Sequence, residues 1–445
     1  MVKNRIGGLV AVPAIALAVW VLYGSGFVDY DALYALIWGD DLAGGHRPPD
    51  IDARHSPTSH PLSTALSAPI SQLGADALWV LQAITIVSFA ALAWAGYRLG
   101  ERTFGRPAGV VLALILLTRP LLVKQALSAN VDIPFLALIV GAAAMEARSP
   151  RRGWPVLALL ALAGLLRPEA WLLALAYAAW LRPKTRREWG VAALALAGPL
   201  GWALFDWIAA GDPLHSMNQT SSAAERIGRP RGVDRAVRLT PGYLIDSAGA
   251  VVAIGGAGAA LLALHFARAR ARLPVAIGLF GGLAFLILGV GDQPLLARYL
   301  FVPATMLALF FAAAATAWWV PGVARTRVTL AISAVFALAA LASIPSTAGD
   351  VDHWVDVSGH RHKADGSLDD VLDRPRQLCG PLGVTYFQTR PLLAYLLERR
   401  PNEIDTTRPE RAERGTLVTE DELPPSFTRV AADENWNIGQ RKCTG

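Results

Sequence analysis

The sequence predicts an all-α polytopic membrane protein of about eleven transmembrane helices, followed by a small C-terminal extracytoplasmic α/β domain. Three observations carry that expectation. Of the 445 residues, 53% are hydrophobic and 17% charged, with a mean hydropathy of +0.38; soluble chains carry about 25% charged residues. Apolar runs recur along the first three quarters of the chain, and a bilayer-crossing helix needs about 20 such residues. The charge is also divided: residues 1–345 hold 28 Lys+Arg against 18 Asp+Glu, whereas residues 346–445 hold 13 against 17. The division places a basic, apolar body at 1–345 and a mildly acidic, polar domain at 346–445. These figures exclude a disordered chain, a collagen-like or disulfide-dense scaffold, and an ordinary cytosolic globule.

Taken in order, the apolar runs fall near 7–27, 75–97, 107–123, 131–147, 190–210, 248–267, 273–290, 299–319 and 328–345. Between the fourth and fifth lies an interrupted pair, 154–166 and 169–181, broken by Arg167-Pro168-Glu169. The first run is too long, and too poorly followed by small residues, for a removed signal peptide, so it reads as a retained span.

Sidedness follows from Lys and Arg, which stay cytoplasmic near span ends. Alternate junctions carry Lys3/Arg5, Arg98/Arg102/Arg106, Arg148/Arg151/Arg152, Arg182/Lys184/Arg186/Arg187, Arg268/Arg270/Arg272 and Arg325/Arg327. These are 17 of the 28 basic residues of the body, all on one side if the broken pair goes in and comes back out. The expected topology therefore has a cytoplasmic N-terminus and an extracytoplasmic C-terminal domain, in the plasma membrane. Both cysteines, Cys379 and Cys443, lie in that domain. An oxidising exterior favours a disulfide between them over two unrelated thiols.

Polar chemistry concentrates on the expected outer side. Residues 28–74 contain Asp29, Asp31, Asp40, Asp41, Asp50 and Asp52 with His46, His55 and His60; residues 211–247 contain Asp212, His215 and Arg226, Arg229, Arg231, Arg235 and Arg238. Asp29-Tyr30-Asp31 follows the first span directly. In extended chain its two carboxylates face one side; alternatively one of them caps the short interfacial helix that begins with Ala32-Leu33-Tyr34. Tyr34 suits the headgroup level. Asp132, in Asn130-Val131-Asp132-Ile133-Pro134, stands at similar depth and is either a cap or a site residue. Arg167 lies between two apolar segments of about 13 residues, too short to cross singly, so the Arg167-Pro168-Glu169 tip stops at membrane depth. An ionisable pair there is expensive and points to function, or to a local Arg167–Glu169 ion pair. Arg298 either joins them or snorkels to the interface. Asp206 pairs with another helix or faces the cavity. The histidines lack the tight spacing of a zinc site, and the arginines of 226–238 lack the interleaved aromatics of a nucleic-acid surface. No nucleic-acid partner is expected.

Outer carboxylates with a membrane-depth arginine suit glycosyl transfer from a lipid-linked sugar phosphate. That reaction needs a base for the acceptor hydroxyl and cations for the departing phosphate, which arginine grips bidentately. The chain resembles the GT-C membrane glycosyltransferases, especially the bacterial relatives of protein O-mannosyltransferases and the aminoarabinose transferase (the glycosyltransferase family 39 type). The resemblance rests on Asp29-Tyr30-Asp31-Ala32-Leu33-Tyr34, Ser59-His60-Pro61-Leu62, Asn130-Val131-Asp132-Ile133-Pro134, Gly164-Leu165-Leu166-Arg167-Pro168-Glu169 and Gly211-Asp212-Pro213-Leu214, in that order along the body.

The resemblance implies an inverting transfer from a polyprenyl-phosphate-linked sugar, hexosyl or pentosyl (mannose or arabinose being allowed), to an acceptor hydroxyl. It makes an acidic residue after span one the base, with Asp31 and Asp29 competing, because relatives carry Asp-Glu where this chain has Asp-Tyr-Asp. Asp132 then orients acceptor or sugar. Arg167 contacts phosphate with Glu169 beside it, and Arg298, His60 and Tyr34 complete the substrate-binding set. No cofactor is demanded; a divalent metal is compatible with the chemistry but not required. The partners are the lipid-linked donor, a glycan, lipid or protein acceptor, and membrane lipids. Two other readings stand beside it: a lipid or glycan transporter or flippase, and a non-catalytic cell-envelope assembly protein. No second copy of the 154–181 pair supports the repeat architecture of transporters.

Overall fold

The computed structural model describes residues 2–48, 50–53, 56–74, 76–374, 378–406 and 414–443. His55 and the side chains of Lys3 and Arg5 lie outside the described set. All eleven apolar runs are helical or mostly so. Helix α1 (Val2–Tyr23) leads into α2 (Tyr30–Ala43) and α3 (Pro61–Ser71), so the segment expected as a long outer loop is largely helical. Next come α4 (Asp76–Thr103), α5 (Arg106–Leu117), α6 (Pro120–Leu127), α7 (Asp132–Arg148), α8 (Trp154–Leu166) and α9 (Glu169–Leu181). The body continues through α10 (Arg186–Ala192), α11 (Ala197–Ala210), α12 (His215–Arg226), α13 (Val233–Ala248), α14 (Ala250–Phe266), α15 (Arg268–Val290) and α16 (Phe301–Ala315). The second expected loop, 211–247, is thus also mostly helix, as α12 and α13.

Five helical stretches among the described residues are long and apolar enough to cross a membrane singly, or up to seven if two bent pairs each count as one span. The expectation of about eleven rested on counting apolar runs; the structure shortens and breaks several of them. α5 and α6 bend by 60°. Arg119 precedes Pro120, and the proline ring drives it into extended backbone (φ −77°, ψ 120°) that ends a helix. α13 and α14 turn by 109° at Gly249, whose φ of +80° a side chain rarely tolerates.

Helix α17 (Arg327–Leu372) runs 46 residues without a break, about 69 Å at 1.5 Å per residue. Its first half exposes Val328, Leu330, Val335, Leu338, Leu341 and Ile344, an apolar surface suited to lipid. Its second half turns polar and passes through the expected boundary at 345, so body and polar domain share one helix instead of a linker. Beyond it, strands β1 (Leu382–Val384), β2 (Ile404–Asp405), β3 (Gly415–Thr419), β4 (Thr428–Ala432) and β5 (Asn437–Arg441) form a mixed sheet in the order β2-β1-β3-β5-β4. β1 is parallel to β2 and β3, while β5 is antiparallel to β3 and β4. Helix α18 (Arg390–Leu396) connects β1 to β2. Cys379 and Cys443 are joined, with Cα atoms 5.8 Å apart. One apolar core unites Val28, Ala32 and Leu33 around α2 with Leu368 and Val371 of α17, Leu393 of α18 and Ile438 of β5. The helix that follows the first acidic residue is therefore built into the C-terminal core.

Candidate active site

The two acidic motifs are tied together by backbone before any side chain is considered. Phe27 N–H donates to Leu127 O at 2.8 Å, and Asp29 N–H to Ser128 O at 3.1 Å. Gly26 permits this approach, since a Cβ there would lie 2.1 Å from the Leu127 carbonyl oxygen. Asp29 is the N-cap of α2: its backbone is extended (φ −73°, ψ 170°) and its Oδ1 accepts from Ala32 N–H at 3.0 Å. Its Oδ2 accepts from Asn130 Nδ2 at 2.8 Å. The Asn130 Oδ1 in turn accepts from Asp132 N–H at 3.1 Å. Asn130 thus bridges both motifs, a role that its place in the sequence did not reveal.

Both oxygens of Asp29 are engaged. Burial, and then the neighbouring Asp31 charge, push its carboxyl up to about 7 against the opposing pull of these hydrogen bonds and of Arg298. Asp31, in the first turn of α2, is about a quarter exposed and lies 3.9 Å from Arg298 Nη2.

Asp132 does not cap α7; Val131 holds that position. The Asp132 side chain is 1% exposed and forms ion pairs with Arg167 and with Arg298, whose Nε lies 3.5 Å from Oδ2. Arg167 leaves the end of α8 in extended backbone before Pro168. Its guanidinium also meets Glu169 Oε1 at 2.8 Å and lies 4.3 Å from the Tyr299 ring. The local Arg167–Glu169 pair is thus present, but as one edge of a larger network. Arg298, in a 3-10 turn over Ala297–Leu300, is shared between Asp31 and Asp132.

His60 precedes α3, its imidazole against the Leu166 carbonyl and edge-on to Trp202. Burial lowers it to about 4, so it is neutral near pH 7; Asp31, Arg167 and Arg298 are its charged neighbours. Asp29, Asp31, His60, Asp132, Arg167, Glu169 and Arg298 therefore form one cluster. Several of its buried atoms accept or donate no well-aligned hydrogen bond: both Asp132 carboxylate oxygens, Glu169 Oε1, Arg298 Nε and His60 Nδ1. That capacity suits a polar ligand. Lys124 of α6 adds a cation whose charged neighbours are Arg298 and Asp29, its Nζ 4.0 Å from the Trp354 ring. Sequence reading missed it, because nothing in its local run marks it.

Other residues fall elsewhere. Tyr34 packs between Tyr30 and Trp38, with ring centroids at 5.0 and 5.2 Å, and its charged neighbours are Arg390 and Asp50. It lies in the aromatic row of α2, with Arg390 rather than Arg167 or Arg298 as its neighbouring guanidinium. Asp206 accepts from the Ser216 N–H (2.9 Å) and hydroxyl (2.6 Å), which ties α11 to the first turn of α12. Arg231 pairs with Asp292 at 2.9 Å and Arg238 with Asp234 at 2.7 Å. A cavity of about 820 Å³ borders the α2 face that carries Leu33, Leu36 and Ile37, and none of the clustered charges lines it.

No group of three or more His, Cys, Asp or Glu among the described residues is disposed to hold a metal ion.

A helical membrane body, a juxtamembrane helix capped by the first of two acids, and a small mixed domain beyond them constitute the GT-C fold, the fold of membrane glycosyltransferases. Residues 56–205, about a third of the chain, match the family model for dolichyl-phosphate-mannose-protein mannosyltransferase. No curated protein matches the sequence. ArnT from Cupriavidus metallidurans, in its apo crystal structure, is 16% identical with a TM-score of 0.52 over 98% of both chains. The Archaeoglobus fulgidus oligosaccharyltransferase tethered to an acceptor peptide is 15% identical, with a TM-score of 0.52 over 88% of this chain and 63% of that one. The archaeal oligosaccharyltransferase AglB from Archaeoglobus fulgidus, in complex with an inhibitory peptide and a dolichol-phosphate, is 13% identical. Its TM-score is also 0.52, over 94% of this chain and 70% of that one. These are likenesses of fold.

Proposed function

We propose that this protein is a membrane glycosyltransferase that moves a sugar from a polyprenyl monophosphate to an acceptor hydroxyl at the outer face of the plasma membrane, with inversion. The observation that carries the proposal is the network in which Arg298 bridges the partly exposed Asp31 and the buried Asp132. One carboxylate stands free enough to act as base, beside a cation free enough to meet phosphate. The dolichol-phosphate of the AglB complex and the mannosyltransferase family model support a lipid-linked donor.

In the proposed reaction Asp31 takes the proton of the acceptor hydroxyl, and the acceptor oxygen attacks the anomeric carbon. The bond from that carbon to the phosphate oxygen breaks, and the departing polyprenyl phosphate keeps the electron pair. Asp31 suits the base better than Asp29, whose two oxygens are occupied by the α2 cap and Asn130. Arg167, 6% exposed, is held close by two carboxylates, whereas Arg298, 25% exposed, stands 3.5 and 3.9 Å from its two, so the part of Arg167 is to hold Asp132. Arg298, with Lys124 near it, takes the phosphate charge. Hexose and pentose donors are both consistent with this arrangement.

The test is transfer by the purified protein in lipid nanodiscs, with polyprenyl-phosphate mannose and aminoarabinose as donors. Asp31→Asn is expected to lower turnover by about 10²–10⁴-fold while donor binding persists. Full transfer by Asp31→Asn excludes Asp31 as base. Absence of transfer and of polyprenyl-phosphate binding by the wild type sinks the enzyme reading.

A further inference from the structure

Arg298 sits in a short 3-10 turn that follows extended backbone at Leu296 (φ −128°, ψ 145°). Such a segment does not fix its own position. Two side chains of α13 do so from outside. Tyr243 and Ser247, four residues apart and so on one helix face, donate to the carbonyls of Leu295 at 3.3 Å and Ala297 at 2.9 Å. Ala297 O is the carbonyl immediately before Arg298, and Ser247 is 3% exposed.

The end of α13 is itself held by a second, buried arginine. Arg119, 9% exposed, donates from Nη1 to Ala248 O at 2.8 Å and from Nη2 to Thr347 Oγ1 of α17 at 3.4 Å. It stands at the α5–α6 break, and the carbonyl it grips stands at the α13–α14 break. A Cβ on Gly249 would lie 2.3 Å from Arg119 Nη1, so the bend and the guanidinium are matched in shape. One guanidinium therefore latches two broken helices, and the latch ends one hydrogen bond away from the backbone of Arg298. A charge buried this deep in a membrane body is expensive; the acid that faces it is Asp350 of α17, outside the clustered carboxylates.

We propose that Ser247, held in place by Arg119 at the α13–α14 bend, is a positioning residue that sets the reach of Arg298 toward the donor phosphate. The functional consequence rests on the donor reading given above; the positioning itself does not.

Two measurements on the full chain in nanodiscs separate these. Amide hydrogen exchange over residues 294–300, without ligand, is expected to quicken in Ser247→Ala and Arg119→Lys and to stay near the wild-type rate in Ser247→Thr, which keeps the hydroxyl. Binding of undecaprenyl monophosphate is expected to weaken about tenfold in Ser247→Ala, the worth of one buried hydrogen bond. Ser247→Thr restores it, and in an Arg298→Ala background Ser247→Ala has no further effect. Unchanged exchange over 294–300 in Ser247→Ala overturns the proposal. So does an equal loss of binding with and without Arg298, which marks a merely structural role. If exchange quickens but the wild type binds no polyprenyl phosphate, positioning stands and the donor reading fails.

Discussion

Asp132 and Arg167 form an ion pair in which the carboxylate is 1% and the guanidinium 6% exposed. Each comes from a helix end, the first turn of α7 and the residue that follows α8, and each is paired again, with Arg298 and Glu169 respectively. Breaking a buried pair by removing one partner strands the other charge, which is far more costly than replacing both. Arg167→Met is therefore expected to destabilise the protein by about 3–5 kcal/mol. Arg167→Met with Asp132→Asn should recover a large part of that loss. Thermal denaturation of the detergent-solubilised variants checks it, and a double variant no more stable than Arg167→Met alone would contradict the pairing.

Asp29 carries the pH dependence. Its carboxyl titrates at about 7 in the folded protein, above the unfolded value of about 3.9. The folded state thus holds the proton more tightly, so this group's contribution to stability is full below about pH 4 and is lost as pH rises to about 7. Activity moves the opposite way. Ionised Asp29 adds negative charge beside the proton that Asp31 takes from the acceptor, so transfer should rise through pH 7. In Asp29→Asn that limb disappears from the pH–rate profile; a limb unchanged in Asp29→Asn would assign it to another group.

His60 titrates near 4 and stays neutral across that range. Its folded value lies below the unfolded one of about 6.5, so its stabilising contribution is present above about pH 6.5 and fades as pH falls toward 4. His60→Gln should flatten the acid side of the stability profile and leave the limb near pH 7 in place. Thermal melts and rate profiles of the same variant from pH 4 to 8 separate the two effects.

Gly26 sets the spacing between the acidic motifs. The Leu127 carbonyl oxygen occupies the space of its absent Cβ, and overpacking of this kind typically costs about 1–3 kcal/mol. Gly26→Ala should therefore push residues 27–29 away from 127–130, breaking the Asn130–Asp29 hydrogen bond. The expected result is at least a tenfold loss of turnover with a modest drop in melting temperature. Retention of full activity would show that the two motifs need not be in register.

Cys379 and Cys443 close a loop of 64 residues. Loops of that size carry about 2–4 kcal/mol of stabilisation when bridged. Double substitution by Ser should lower the unfolding temperature of the C-terminal sheet, and because α2 shares that core, catalysis should decline with it. Limited proteolysis with and without reductant reads the first effect, and transfer rate the second.

Much of the site was legible residue by residue. Asp29, Asp31, Asp132, Arg167, Glu169 and Arg298 stand out because ionisable groups beside apolar runs are costly and their positions are local facts of the chain, while His60 entered through the resemblance carried by Ser59-His60-Pro61-Leu62. Tyr34 stood out as an aromatic suited to the headgroup level, yet its ring turns into the aromatic row of α2. Asn130 and Lys124 left no such mark. An amide inside a motif, or a lysine on a short helix, becomes part of a site only through partners about a hundred residues or more away.

The sequence by itself determined the helical body, the small mixed domain and the set of charged candidates, since hydropathy and the expense of burying charge act over short stretches. Only the tertiary structure decided which carboxylate keeps a free oxygen, that Arg167 is already committed while Arg298 is shared, and that one unbroken helix joins the body to the sheet. Those outcomes depend on through-space distances between residues remote in the chain, and ionic attraction and hydrogen bonding are set by distances and angles that no local pattern encodes.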